Sequence, residues 1–294
     1  MIAKCLSIVM ALLLLALLPS CNDLKSDYIC TPTHRVQWWL EDINWNKRLE
    51  YDGEGIVIGV IDSGIDEEHP DLKGKVIEEF RIPQLPANAD NSYMSHGTAV
   101  AGIIVAEPST ESGVLGIATA AKIISIDVTD DANGFVKKEA LIQGIRYAVQ
   151  KKVRIINISI GFSEDDSGIK DAIDEAIMKG IIVVASAGNS TSDKILYPAA
   201  YDGVLCVGSY DRRKNVMYPH DSNKKAIYLP GEYIVTTSSD GLLYESVDGT
   251  SISTPMLSGI IALMLQKNPK LTTEEIINLF NAKSIDVINL LEEI

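Results

Sequence analysis

The sequence predicts an α/β fold, a three-layer sandwich whose mostly parallel central sheet carries helices on both faces. Three observations predict it. Short, uninterrupted apolar runs recur along the chain, as strands covered on both faces require. Segments with apolar residues at helical spacing lie between them. Glycines and polar turns separate the two kinds of segment.

The first strand is expected at Ile56 to Ile61, and others at Lys122 to Val128, Val153 to Ser159, Ile181 to Ala185 and Val204 to Val207. Lys137 to Lys151 reads as a helix through Ala140, Leu141, Ile145, Ala148 and Val149. Ile169 to Lys179 reads as another through Ile169, Ala172, Ile173, Ala176 and Ile177, with Gly180 where a helix terminator belongs. The stretch opened by His96 and running to Val105 reads as a buried helix, as does Leu257 to Leu265. Pro255 is tolerated only near the first turn of the latter, which places Ser251 at a helix N-terminus.

The chain has 294 residues, of which 46% are hydrophobic, room enough for one large domain with a sizeable core. Its formal charge of −14 argues against a nucleic-acid partner and against attraction to anionic lipid by charge alone. Near the N-terminus, Lys4 precedes an apolar run from Leu6 to Leu18, too short to span a bilayer comfortably and suited to an export signal. Leu18-Pro19-Ser20-Cys21 follows. It resembles a bacterial lipobox, which implies cleavage before Cys21 and a lipid on its sulfur; an ordinary signal or a retained membrane anchor are the alternatives. Residues 1–20 are thus expected as a lipoprotein-type signal, 21–34 as a tether and 35–294 as the folded domain. Cys30 and Cys206 are left as a pair for a disulfide, but Cys206 lies in an apolar run and reads as a buried free thiol. No CxxC pair or His cluster suggests zinc.

The chemistry lies where strands end. Asp62 follows the first strand and opens a Gly turn. His96 begins His96-Gly97-Thr98 at a helix start, and Asn189 follows the buried run Val183 to Ala187. Ser251, in Gly249-Thr250-Ser251, sits where backbone N–H groups and the helix dipole favour a developing oxyanion. Taken singly, each has a structural explanation: a strand-end turn, a helix start, a turn Asn, an N-cap.

Together and in this order they resemble the subtilisin-like serine proteases. His69-Pro70-Asp71-Leu72, Gly113 to Ala118, Asn157 to Gly161, Tyr197-Pro198-Ala199 and Val207-Gly208 extend the resemblance from about Arg35 to the C-terminus. It implies a triad of Asp62, His96 and Ser251 with Asn189 in the oxyanion hole. It implies that a peptide or protein substrate adds as a strand beside Ser159, Ile160 and Gly161 and beside Gly134 and Phe135. Leu196, before Tyr197-Pro198, takes the place of a Gly that often floors the first specificity pocket, so small or medium apolar residues are expected before the cleaved bond. Asp71 matches a family ligand for structural calcium, yet the loop Pro108 to Ser112 supplies Thr110 and Glu111 and no Asn, so calcium stays open. No cofactor is required for the chemistry. Ala99, Ser253, Thr254 and Met256 depart from the family pattern at positions outside the triad. Trp38, Trp39, Leu40, Ile43 and Trp45 are expected to pack on the body of the fold, with plugging of the cleft as the sharper alternative.

The reading is therefore an exported, membrane-tethered, monomeric serine endopeptidase on the extracytoplasmic face, or a secreted one if the lipobox is not used. A dedicated leader-peptide processing protease of a modified-peptide pathway is the alternative. A catalytically silent peptide-binding homologue is a third reading.

Overall fold

A computed structural model describes residues 37–46, 49–82, 94–129, 135–190, 194–218, 224–239, 241–281 and 285–294. The proposed signal, lipid site and tether, with Cys30 and Gly134, lie outside the described residues. Seven strands form one sheet: β1 (Val57–Asp62), β2 (Val76–Arg81), β3 (Lys122–Asp127), β4 (Ile155–Ile158), β5 (Ile182–Ser186), β6 (Leu205–Tyr210) and β7 (Ile227–Pro230), ordered β2-β3-β1-β4-β5-β6-β7. Every pairing within it is parallel. A separate antiparallel hairpin joins β8 (Ile234–Thr237) to β9 (Tyr244–Val247).

The five apolar runs form five of the strands because they can bury both faces. In β1, Ile58 and Val60 face one core and Ile61 the other. Each such side chain contributes roughly 1.5–3 kcal/mol relative to exposure. The first core is covered by α1 (Trp38–Asp42), α2 (Ser95–Val105), α5 (Thr250–Lys267), α6 (Thr273–Asn281) and α7 (Val287–Glu292). The second is covered by α3 (Lys138–Lys151) and α4 (Ser167–Met178). Gly180 follows α4 with φ 74°, the left-handed conformation that ends a helix at low cost for glycine.

Two expectations shift. The last long helix begins at Thr250, so Pro255 lies inside it. The missing Pro255 N–H would have bonded the Ser251 carbonyl four residues back. That carbonyl accepts instead from Ser159 Oγ at 2.8 Å. The tryptophan cluster packs on the body: Trp39, Leu40, Ile43 and Trp45 are buried in the first core. Trp45 Nε1 donates to the Ile117 carbonyl and Trp38 Nε1 to that of Glu232.

The chain leaves β1 toward β2 and β3, then returns to build β4 to β7 on the other side. This reversal opens a crevice at the carboxyl ends of β1 and β4. Asp62 ends β1 and Ser159 follows β4.

Candidate active site

Asp62 is buried, and its Oδ1 accepts from the Ser63 N–H and from His96 Nδ1, both at 2.8 Å. His96 is the second residue of α2, with its side chain 44% exposed at the mouth of the crevice. Gly97 fixes this juxtaposition, since a Cβ there would lie 2.0 Å from the Gly64 carbonyl oxygen. The Gly97 N–H meets Ser63 Oγ and the Asp66 N–H meets Thr98 Oγ1, lashing the start of α2 to the turn after β1. The negative charge of Asp62 holds the His96 imidazole above its ordinary pKa against the opposing effect of burial. The Asp62 hydrogen bond and the charge of Glu245 add to the rise.

Ser251 is the second residue of α5, which packs against α2. Its backbone is set from both sides. Ser159 Oγ holds the carbonyl and in turn accepts from Asn157 Nδ2 at 3.3 Å; Asn157 Oδ1 accepts from Ser258 Oγ at 2.9 Å. Gly249 precedes the helix at φ 123°, where an L side chain is strained, and a Cβ there would lie 2.7 Å from Asn189 Nδ2. Asn189 Oδ1 accepts from Thr250 N and Thr250 Oγ1, each at 2.8 Å. With that oxygen pinned, the amide orientation is fixed and Nδ2 remains as a donor beside the Ser251 turn. An imidazole oriented by a buried carboxylate, a serine at a helix N-terminus and a fixed amide donor are the parts that acyl transfer needs.

Of the binding residues, Ser159 and Ile160 are half-buried and Gly161 is exposed just past β4. Phe135 is exposed beside Val136, which bridges to Thr129. Leu196 lies between two glycines: a Cβ on Gly161 would meet its Cδ1 at 2.7 Å, and one on Gly188 its Cγ at 2.7 Å. The Phe162–Tyr197 bridge, paired through both backbone N–H groups, holds it there.

Asp71 does not fit a calcium ligand. Its Oδ1 accepts from Ser109 N at 2.8 Å, and its Oδ2 accepts from Val114 N and from Tyr244 OH, each at 2.9 Å. Thr110 Oγ1 accepts from Ser112 N, and Gln37 Oε1 from Leu115 N. Calcium needs six to eight oxygens turned toward it. Here both oxygens of the Asp71 carboxylate are engaged by neutral donors, and the Thr110 and Gln37 oxygens by backbone N–H groups. Cys206 is a buried free thiol whose pKa burial pushes up to about 12, so it is held neutral.

Several site residues were not legible in advance. Thr250 orients Asn189, and Asn157 supports Ser159, but lone Thr and Asn residues carry no spacing signal. Asp127 ends β3 in register with Asp62, with Arg81 Nε 2.9 Å from its Oδ2 and its pKa raised chiefly by burial. An Asp at a strand end, repeated at the neighbouring strand, was its available signal. Glu245 lies on the hairpin, which no apolar run announced.

A profile of the Subtilase family matches residues 53–286. The chain is 33% identical over 301 residues to fervidolysin of Fervidobacterium pennivorans, covering 91% of this chain and 43% of that protein. It is 34% identical over 229 residues to the major intracellular serine protease of Bacillus subtilis (strain 168), covering 75% of this chain and 70% of that one. It thus spans less than half of fervidolysin. The crystal structure of fervidolysin, a keratinolytic enzyme related to subtilisin, superposes with a TM-score of 0.77 at 29% identity, covering 92% of this chain and 47% of that one. The prenylagaramide maturation protease PagA superposes with a TM-score of 0.68 at 25% identity, covering 81% and 93%.

Proposed function

The chain belongs to the subtilase family of serine endopeptidases, and from that premise we propose that it cleaves peptide bonds through an acyl-enzyme on Ser251. The observation that carries this is the 2.8 Å bond from His96 Nδ1 to buried Asp62, at the crevice where Asn189 is pinned beside Ser251. His96 takes the Ser251 proton and later returns it to the leaving amine. Asp62 fixes the imidazole tautomer and stabilises the cation that forms. Asn189 Nδ2 and the Ser251 N–H receive the oxyanion. The substrate's acyl side pairs with Ser159 to Gly161 as an added strand, opposite Gly134 and Phe135.

The triad reading sets a pH dependence. His96 must be neutral to accept a proton, and a raised pKa keeps it charged to higher pH. kcat/KM is therefore expected to rise with pH through a midpoint above about 6.5, the ordinary imidazole value. A pH–rate profile checks this; a midpoint clearly below that value contradicts the Asp62–His96 pairing.

Leu196 sets specificity. Its side chain packs between Gly161 and Gly188; at the place the family resemblance gives to the first pocket, this supports a preference for small or medium apolar residues. Leu196→Gly should raise kcat/KM for Phe or Tyr before the cleaved bond by on the order of tenfold or more. A peptide library measures it, and strong preference for Phe or Tyr in the unmodified enzyme rejects the assignment.

The lipobox-like segment supports export and a lipid anchor at Cys21, the peptidase domain acting as a monomer beyond the tether. Cys21→Ser should release the protein from membranes or halt its maturation, read by fractionation and gel mobility. Unchanged membrane association points to an ordinary signal or a retained helix. Similarity to the maturation protease PagA, together with a filled first pocket, favours a second reading: dedicated processing of a peptide precursor. Cleavage confined to one precursor junction, against a broad spectrum of cut sites, separates it from general proteolysis.

A further inference from the structure

The β8–β9 hairpin carries an acid to the catalytic histidine that the chemistry just described does not require. The hairpin is fixed to α2 by Thr236 Oγ1, which donates to the Ala99 carbonyl, and by Thr237 Oγ1, which donates to that of Thr98. Its far strand is tied down by Tyr244 OH on Asp71 and by the His69 ring against the Leu243 carbonyl at 2.7 Å. Glu245 follows on that strand. Its Oε1 accepts from Ser95 Oγ at 2.7 Å, and Ser95 immediately precedes His96. Ser95 Oγ is also 3.2 Å from Ser238 Oγ, so the contact is held from both sides. Glu245 is half-buried and, among the described residues, has no Lys, Arg or His within ion-pair distance. Next to it Leu242 and Leu243 are exposed at 63% and 54%.

We propose that Glu245 is a specificity residue that selects Lys or Arg in the first two residues after the cleaved bond. The inference rests on the serine-peptidase reading, which gives the two sides of the crevice their meaning. The acyl side of the substrate lies with Ser159 to Gly161. His96 delivers its proton to the leaving amine, so the hairpin beyond His96 borders the leaving peptide. A half-buried carboxylate that accepts from the Ser95 hydroxyl, with no Lys, Arg or His at ion-pair distance among the described residues, is a fitting partner for an ammonium or guanidinium. A half-exposed pair of this kind changes kcat/KM by roughly fivefold.

The test uses internally quenched peptides that differ only in having Lys, Gln or Glu after the cleaved bond. They are assayed above the acid limb of the pH profile so that His96 is neutral throughout. The wild-type enzyme should prefer Lys over Gln and Gln over Glu, more strongly at low salt. Glu245→Gln should bring the ratio of kcat/KM for the Lys peptide to that for the Gln peptide close to one, and Glu245→Lys should reverse the order. Active wild-type enzyme with no such order, or an order unchanged in Glu245→Gln, overturns the proposal and leaves the peptidase reading standing. A wild-type protein that hydrolyses none of the peptides, nor a general protein substrate, fails the peptidase reading itself.

Discussion

Ser251→Ala is expected to lower kcat for peptide hydrolysis by a factor on the order of 10⁶, the scale known for subtilisin, a relative in this family. The size follows from the way the parts act. A serine hydroxyl is a weak nucleophile until a base removes its proton, and the base works only when its tautomer is set. The Asp62–His96 bond sets it. His96→Ala should therefore cost about as much as Ser251→Ala, and the double variant little more than either, because the second change removes a part already idle. Neither change should unfold the chain. Ser251 is half-buried and its structural bond is made by its backbone carbonyl, which Ala retains. Unfolding midpoints close to wild type would show that the loss is chemical.

Asn189→Ala is expected to lower kcat by roughly 10² to 10³ with little change in KM, again the range known from subtilisin. The donor matters most when the carbonyl oxygen gains charge, so its loss weighs on the transition state rather than on binding. The structure also separates this effect from simple disturbance. Thr250 N and Oγ1 both donate to Asn189 Oδ1. Asn189→Asp keeps that acceptor, and with it the Gly249–Thr250 turn, but offers no N–H to the oxyanion. It should be at least as impaired as Asn189→Ala while remaining as stable as wild type. Steady-state kinetics beside thermal unfolding of both variants checks this. A large rise in KM with kcat preserved would assign Asn189 to substrate binding.

How much of this was visible in the sequence depends on how each element is buried. β1, β3, β4, β5 and β6 are covered on both faces, so most of their residues are apolar and the runs stand out. β2 lies at the sheet edge with alternating half-buried and exposed residues, and Glu78 and Glu79 within it hid the pattern. β7 is the other edge, four residues long. The sequence places the start of α5 too late because Pro255 reads as a first-turn residue. Its cost inside the helix is offset by Ser159, nearly a hundred positions away in the chain, and no local rule could supply that partner. The proposed triad members and Asn189 stand out in the sequence because each lies at a strand end or a helix start within two residues of a glycine. Their supports, Thr250, Asn157 and Ser258, act through single side-chain bonds and leave no periodic trace. Calcium at Asp71 stays open in the sequence because it shows the carboxylate and not the Tyr244 hydroxyl brought to it by the hairpin.

The central claim is that Ser251 is the nucleophile activated by His96. The most direct measurement is labelling of the intact protein with a fluorophosphonate, followed by mass-spectrometric mapping of the adduct. The account predicts one modified residue, Ser251, with labelling lost in His96→Ala although the serine is still present. An unlabelled but folded wild-type protein, or an adduct on another residue while peptide hydrolysis proceeds, would contradict it.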